Sequence, residues 1–373
     1  MGSQTFSYSS YVSARKTRGI TSDSNVTRAA ERAVLDTGRL MQSVDPAMGG
    51  VVRRSLMRFD AREDGRWTVT VGCPIHIESL CDTTGSMGSN VDIAMKVLPD
   101  TYACAAEMLP GYDPQLALGI FGDFEDKFIL QRPQFEMEAQ KIVDYLADMA
   151  PERGGAGNHG EDPEYGLFGA AYLTAAYDNR IGLKGYHFCI TDEPVHDRFD
   201  EDNLKRVFGE NVFRHLEDNG HKMSVEELCA LKTKDVVRDL LRQSHAFLLV
   251  LRSFYRDTED QWLRIYGADR VIRIPDTHYL PQIQGAIIGL TEGTLQPKQV
   301  RKWLISHGVP VQQAELLDNE LQHIPVGAQA ALRAKLPHPV PKAGDVFAAK
   351  TDLWPVDAED TRVEQEKKHG FWL

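Results

Sequence analysis

One stretch limits what this chain can become: Ile75 to Met87, reading IHIESLCDTTGSM. An apolar, β-favouring run stops at Asp82-Thr83-Thr84-Gly85-Ser86, and a helical pattern, VDIAMKVLPDTYACAAEML, then runs from Val91 to Leu109. Ile75, Ile77 and Leu80 in so short a run predict a buried central strand. In open α/β sheets the ligand crevice lies beyond the carboxyl ends of the strands, so a strand ending on a carboxylate and two hydroxyls places polar chemistry there. Asp82, Thr84 and Ser86 alternate, and in an extended loop their oxygens point one way. Hard oxygen donors of this kind suit Mg²⁺ or a similar cation. The same residue types also make ordinary turns and helix caps, and the segment taken alone is equally well explained by capping.

The rest of the chain continues the strand–helix alternation. WTVTV from Trp67 alternates as a strand that begins the sheet, Leu116 to Phe121 (LALGIF) is another, and FILQRPQF, with its Pro133, fits an edge. Met137 to Met149 is an amphipathic helix and Tyr165 to Tyr177 a second. Tyr186 to Thr191 (YHFCIT), Ala246 to Leu251 (AFLLVL) and Arg270 to Ile274 complete the strands, and Tyr279 to Leu290 closes with a helix. This alternation predicts an α/β fold: a doubly wound, mostly parallel sheet flanked by helices, over about residues 67–293, with a helical insertion at 203–243. Residues 1–66 form an N-terminal extension, helical from Asn25 onward and richer in Arg and Lys than in acids. Such a segment most simply packs on its own acidic body. Residues 294–373 carry short helical patterns, no sheet signal, a Pro-rich PHPVPK linker and a charged tail from Asp357 to His369.

Three strands end in acidic groups: Asp82, Asp123 with Asp126, and Asp192. The loop before the helix at Tyr165 adds Glu161 and Asp162. Parallel strands share one carboxyl edge, so the loops of Asp82, Glu161/Asp162 and Asp192 are expected to converge, and a cation resolves the repulsion among their carboxylates. His159 and His196 lie in the same loops and read as solvated loop histidines. The net charge of −12 argues against nucleic-acid binding by the whole surface. Five cysteines without C-x-x-C spacing point to buried free thiols rather than zinc. No apolar run approaches a membrane span and the first residues are polar, so a cytoplasmic protein is expected.

These motifs together resemble a von Willebrand factor A domain with a metal-ion-dependent adhesion site. Asp82-Thr83-Thr84-Gly85-Ser86-Met87 is similar to that family's D-x-S-x-S motif in its D-S-T-G-S-M form. Ile190-Thr191-Asp192-Glu193-Pro194 resembles the late strand-end motif. Gly154-Gly155 followed, after an insertion, by Glu161-Asp162-Pro163-Glu164 resembles the middle motif of an intracellular branch. Phe121-Gly122-Asp123-Phe124 is similar to the A domain attached to alpha-kinases.

The resemblance implies that Thr84 and Ser86 coordinate Mg²⁺ (or Mn²⁺ or Ca²⁺) directly, with Asp82 and Asp192 holding it directly or through water. The family's middle-loop Thr has no counterpart: either Glu161 or Asp162 replaces it, or a ligand is lost. Asp123, with Asp126, stands behind the site, orienting a water or making a turn. An open coordination position would accept a carboxylate from a protein partner. Family knowledge suggests a bacterial adaptor role beside a MoxR-type AAA+ ATPase or within a stress or defence complex, with no enzymatic activity. The alternative is a Mg²⁺-dependent phosphohydrolase with Asp82 as nucleophile, since D-T-T-G-S also resembles the D-K-T-G-T of haloacid-dehalogenase-class enzymes. Against it, Thr84 stands where that class has a second Asp, and Gly122-Asp123-Phe124-Glu125-Asp126 comes too early for the late acidic pair.

Overall fold

The computed structural model describes residues 36–154, 160–252 and 257–348, with Ser13 and Val34 singly. The expected N-terminal helix (apart from Val34), His159 and the charged tail lie outside the described residues. In chain order the elements begin with β1 (Arg53–Ser55), β2 (Arg58–Ala61), β3 (Trp67–Val71) and β4 (Pro74–Asp82). There follow α1 (Ser89–Val97), α2 (Thr101–Met108), β5 (Asp113–Phe121), β6 (Leu130–Gln131), α3 (Ala139–Asp148) and α4 (Pro163–Tyr172). Next come β7 (Thr174–Ala176), α5 (Tyr177–Arg180), β8 (Gly185–Thr191), α6 (Glu201–Phe208), α7 (Val212–Asp218), α8 (Val225–Cys229) and α9 (Thr233–Gln243). The chain continues through β9 (Ser244–Val250), α10 (Thr258–Tyr266), β10 (Val271–Arg273), α11 (Leu280–Glu292), α12 (Val300–Ser306), α13 (Val311–Leu321), α14 (Ala328–Arg333) and β11 (Val346–Phe347).

The central sheet runs β10-β9-β8-β4-β5-β6, parallel except for the antiparallel pairing of β6 on β5. Numbered by their own order in the chain, its strands lie 3-2-1-4-5-6, the doubly wound arrangement. All nine residues of β4 are buried. Its alternating side chains feed two cores: Ile75, Ile77 and Cys81 pack into one layer, Leu80 into the other. Helix α11 is buried along all but one of its residues and crosses α2 in the first layer. Gln284, in its middle, is paired at both ends, accepting from the Thr101 hydroxyl at 2.7 Å and donating to the Ser79 hydroxyl at 3.0 Å. In the second layer α4 lies against β4 so closely that a Cβ on Gly166 would collide with the Leu80 side chain.

Several elements differ from the sequence reading. WTVTV does not begin the main sheet. As β3 it forms a separate antiparallel sheet in the order β11-β3-β2. Residues 294–373 do contribute a strand, since Val346–Phe347 pairs with Trp67 and Thr68. The single helix expected from Val91 to Leu109 is split at Pro99 into α1, a 3₁₀ turn (Leu98–Asp100) and α2. Pro cannot donate to the preceding turn. The insertion breaks into α6 to α9, where Ser224 and Glu227 form a capping box at the start of α8. Cys229 is exposed, while Cys73, Cys81, Cys104 and Cys189 are buried free thiols. Among the described residues no helix is long and apolar enough to cross a membrane.

The N-terminal part is fastened by the hydrogen bonds of one buried arginine. Arg53, 1% exposed, donates to the main-chain oxygens of Asp45, Met48, Gly50 and Arg132. Arg132 in turn grips both carboxylate oxygens of Glu78 on β4, at 2.6 and 3.0 Å.

Candidate metal centre at the sheet switch point

The sheet order reverses between β4 and β8, which opens a crevice beyond the carboxyl ends of those two strands. Their register places Cys81 opposite Ile190, so the strands end level, on Asp82 and Thr191. The Asp82 carboxylate is fully buried and holds both edges of the crevice. One oxygen accepts the Thr84 amide at 2.8 Å and the Thr84 hydroxyl at 2.6 Å. The other accepts the Thr191 hydroxyl at 2.7 Å. The Thr84 and Ser86 hydroxyls are 3.2 Å apart, and Ser86 donates to Asp192 at 2.8 Å. One chain of oxygens therefore runs Asp82–Thr84–Ser86–Asp192 across the switch point. Thr191, quoted in the late motif but not singled out as a site residue, bonds into it through Asp82; the visible signal was a hydroxyl at the last strand position before Asp192.

The loops around this chain are pinned. The Gly85 amide donates to the Gly154 carbonyl at 2.5 Å, tying the first loop to the middle one. The Glu193 carbonyl accepts from the Trp262 indole at 2.8 Å, and Gln261 bonds both the amide and the carbonyl of Val195. Glu161 pairs with Val195 as a parallel bridge, its amide donating to Pro194 at 2.9 Å and its carbonyl accepting from His196 at 3.0 Å.

The two middle-loop candidates part company. Glu161 is 4% exposed, and its Oε2 has no hydrogen-bond partner. Its carboxyl lies within hydrogen-bonding reach of the Thr84 side chain and within the fields of Asp82, Asp123 and Glu193. Asp162 is spent elsewhere: one oxygen accepts the Phe124 amide and the other faces His196 Nδ1 at 3.1 Å. It ties two loops together, bonding Phe124 on one side and His196 on the other. His196 is correspondingly no free loop histidine, since it also packs edge-on against Phe124 with ring centroids 5.4 Å apart. Asp123 accepts the Glu125 amide at 2.8 Å, and Asp126 accepts the Asp123 amide at 3.0 Å. Both brace the turn after β5. Asp126 also fills the space beside Gly154, where a Cβ would come within 2.8 Å of its carboxylate.

Electrostatics mark the crevice. Burial pushes Asp82 up to about 7, with the nearby Asp192 adding to the effect and the Thr84 and Thr191 hydrogen bonds opposing it. Burial pushes Glu161 to about 10, helped by the charges of Asp82, Asp123 and Glu193. Asp192 is raised by burial and partly relieved by Ser86. Carboxylates so placed resist ionising together unless a cation joins them. Among the described residues no three His, Cys, Asp or Glu side chains gather closely enough to hold a metal by themselves. Two neutral hydroxyls, two carboxylates and the orphaned Glu161 oxygen are hard donors, and they fit Mg²⁺.

The architecture is a doubly wound α/β fold with a mostly parallel central sheet flanked by helices. No protein-family model matches the chain, and no curated protein does. Among solved structures it is similar to a von Willebrand factor type A protein from Catenulispora acidiphila, at 13% identity and a TM-score of 0.34, over 61% of this chain and 45% of that one. It is also similar to the pilus adhesin SpaC from Lactobacillus rhamnosus GG in its open conformation, at 12% identity and a TM-score of 0.37, over 63% of this chain and 34% of that one. The chain thus spans less than half the length of these structures.

Proposed function

We propose that this A-like domain is a binding module that holds a protein partner through a divalent cation, Mg²⁺ in the first instance. The observation that carries this reading is the Asp82–Thr84–Ser86–Asp192 chain of oxygens at the switch point. Thr84 and Ser86 would hold the ion through neutral hydroxyls, and Asp82 and Asp192 would balance its charge. When bound, such an ion offers an electrophilic position to a carboxylate from a partner. Asp82 organises the site, since its two oxygens fix Thr84 on one side and Thr191 on the other. That engagement, with full burial, suits a structural carboxylate better than a nucleophile, and so favours binding over phosphoryl transfer. The partner class suggested by the sequence resemblance is a MoxR-type AAA+ ATPase, with this chain as its adaptor.

Asp82→Ala is the direct test. Calorimetric titration with Mg²⁺ or Mn²⁺ should lose its binding signal in the variant, and cation-dependent capture of the partner should disappear, while circular dichroism shows an unchanged fold. Retention of all partners by the variant, or Asp82-dependent hydrolysis of p-nitrophenyl phosphate by the wild type, would overturn the reading.

A further inference from the structure

Glu161 stands out in the crevice because one of its two carboxyl oxygens has no partner there. Its backbone is fixed by the bridge to Val195, its side chain is 4% exposed, and Oε2 is left without a hydrogen bond beside Thr84. A buried carboxyl oxygen left unsatisfied is destabilising, and a chain tolerates it most readily where a ligand completes it.

We infer that Glu161 is a built-in competitor: it takes the coordination position that a partner's carboxylate would use, so that docking exchanges an internal carboxylate for an external one. This deepens the proposed function and rests on it. Asp82 and Asp192 already neutralise a divalent cation, so Glu161 makes a third negative group and leaves no electrostatic pull for a fourth. Being tethered, it competes at a high effective concentration. A lone carboxylate in solution therefore binds poorly, and only a surface that adds contacts of its own can displace Glu161. Phe124, 38% exposed on the neighbouring loop and braced against His196, is an apolar contact on this rim. The bridge of Glu161 to the loop of Val195 is made by main-chain atoms and does not depend on where its side chain lies.

The test uses the full-length protein, Mn²⁺ as the probe, and acetate as the minimal external carboxylate. Water-proton relaxation counts metal-bound water, and acetate is titrated against that signal. Glu161→Ala should hold one more water than wild type, and acetate should displace water from it about tenfold more readily, the factor for a site otherwise open a tenth of the time. Glu161→Gln, which keeps the shape, should move both readouts the same way by less, and it decides the matter should the Ala variant fail to fold. Equal hydration and equal acetate midpoints in wild type and variants would overturn the inference while leaving the metal site standing. No Mn²⁺ binding by the wild type that Asp82→Ala removes would instead sink the metal reading and this inference with it.

Discussion

His187 sits in the middle of β8, 1% exposed, with neither ring nitrogen hydrogen-bonded. Burial pushes it down to about 4; Glu78 pulls the other way, and Arg132 and His76 add to the depression. Its folded value lies below the unfolded value of about 6.5, so the unfolded chain binds the extra proton between those limits. The stability that His187 contributes is fully present above about pH 6.5 and is lost as pH falls toward 4. His187→Phe removes this dependence. Between pH 7.5 and pH 5 the variant should gain about 2 kcal/mol relative to wild type in urea-unfolding free energy. His245, pushed down to about 4 by burial as well, is common to both chains and cancels in the difference. A constant difference across that range would refute the assignment.

Nearby, His76 faces Asp178 at 2.8 Å and the Ser244 hydroxyl at 3.0 Å, the hydrogen-bond order of an activated serine. Packing argues for a core clamp: Ser244 is 2% exposed, Phe135 stands edge-on to the ring, and a Cβ on Gly185 would collide with it. The group joins β4, α5 and β9 and leaves no space for a substrate.

At the scale of elements, the α4–β4 contact sets the second core layer. Gly166→Ala would drive a methyl into Leu80 and force α4 off the sheet, at a cost of about 1–3 kcal/mol. Thermal unfolding should show the corresponding drop in midpoint, and a variant as stable as wild type would mean that Leu80 has room to turn aside. Legibility from sequence followed the same physics. β4 and β8 were readable because Ile75, Ile77, Leu80, Phe188 and Ile190 make short β-favouring runs, and Asp82, Thr84, Ser86 and Asp192 were readable because strand ends carry polar residues. β3 was misplaced because Trp67–Val71 alternates properly for a strand, and alternation does not say which sheet a strand joins. β11 is two residues long and defined only by its partner. The separate fates of Glu161 and Asp162 were unreadable, since adjacent carboxylates in a loop differ only in what the fold puts opposite them.

For the whole molecule, the decisive feature is that the C-terminal helices complete the main core. Val300, Trp303, Leu304, Val309, Ala314, Leu317, Leu321 and Ile324 all belong to the cluster built on Ile75 and Ile77. The polypeptide also returns to the body through Gln329, which is buried and bonds Lys184 and His245, and through Arg333, which pairs with the buried Glu292 at 2.9 Å. Each fully buried aliphatic side chain of this kind contributes about 1.5–3 kcal/mol. Together they are comparable to the roughly 5–15 kcal/mol by which a native domain is stable. A chain ending after Gly293 keeps every residue of the candidate metal centre yet should not fold. Expressed alone, residues 1–293 should be insoluble or lack a cooperative melt and should show no Mn²⁺ binding dependent on Asp82. A soluble, cooperatively melting fragment that binds the ion would show that the sheet sustains its crevice unaided, and the helices would then be an accessory to the core rather than a part of it.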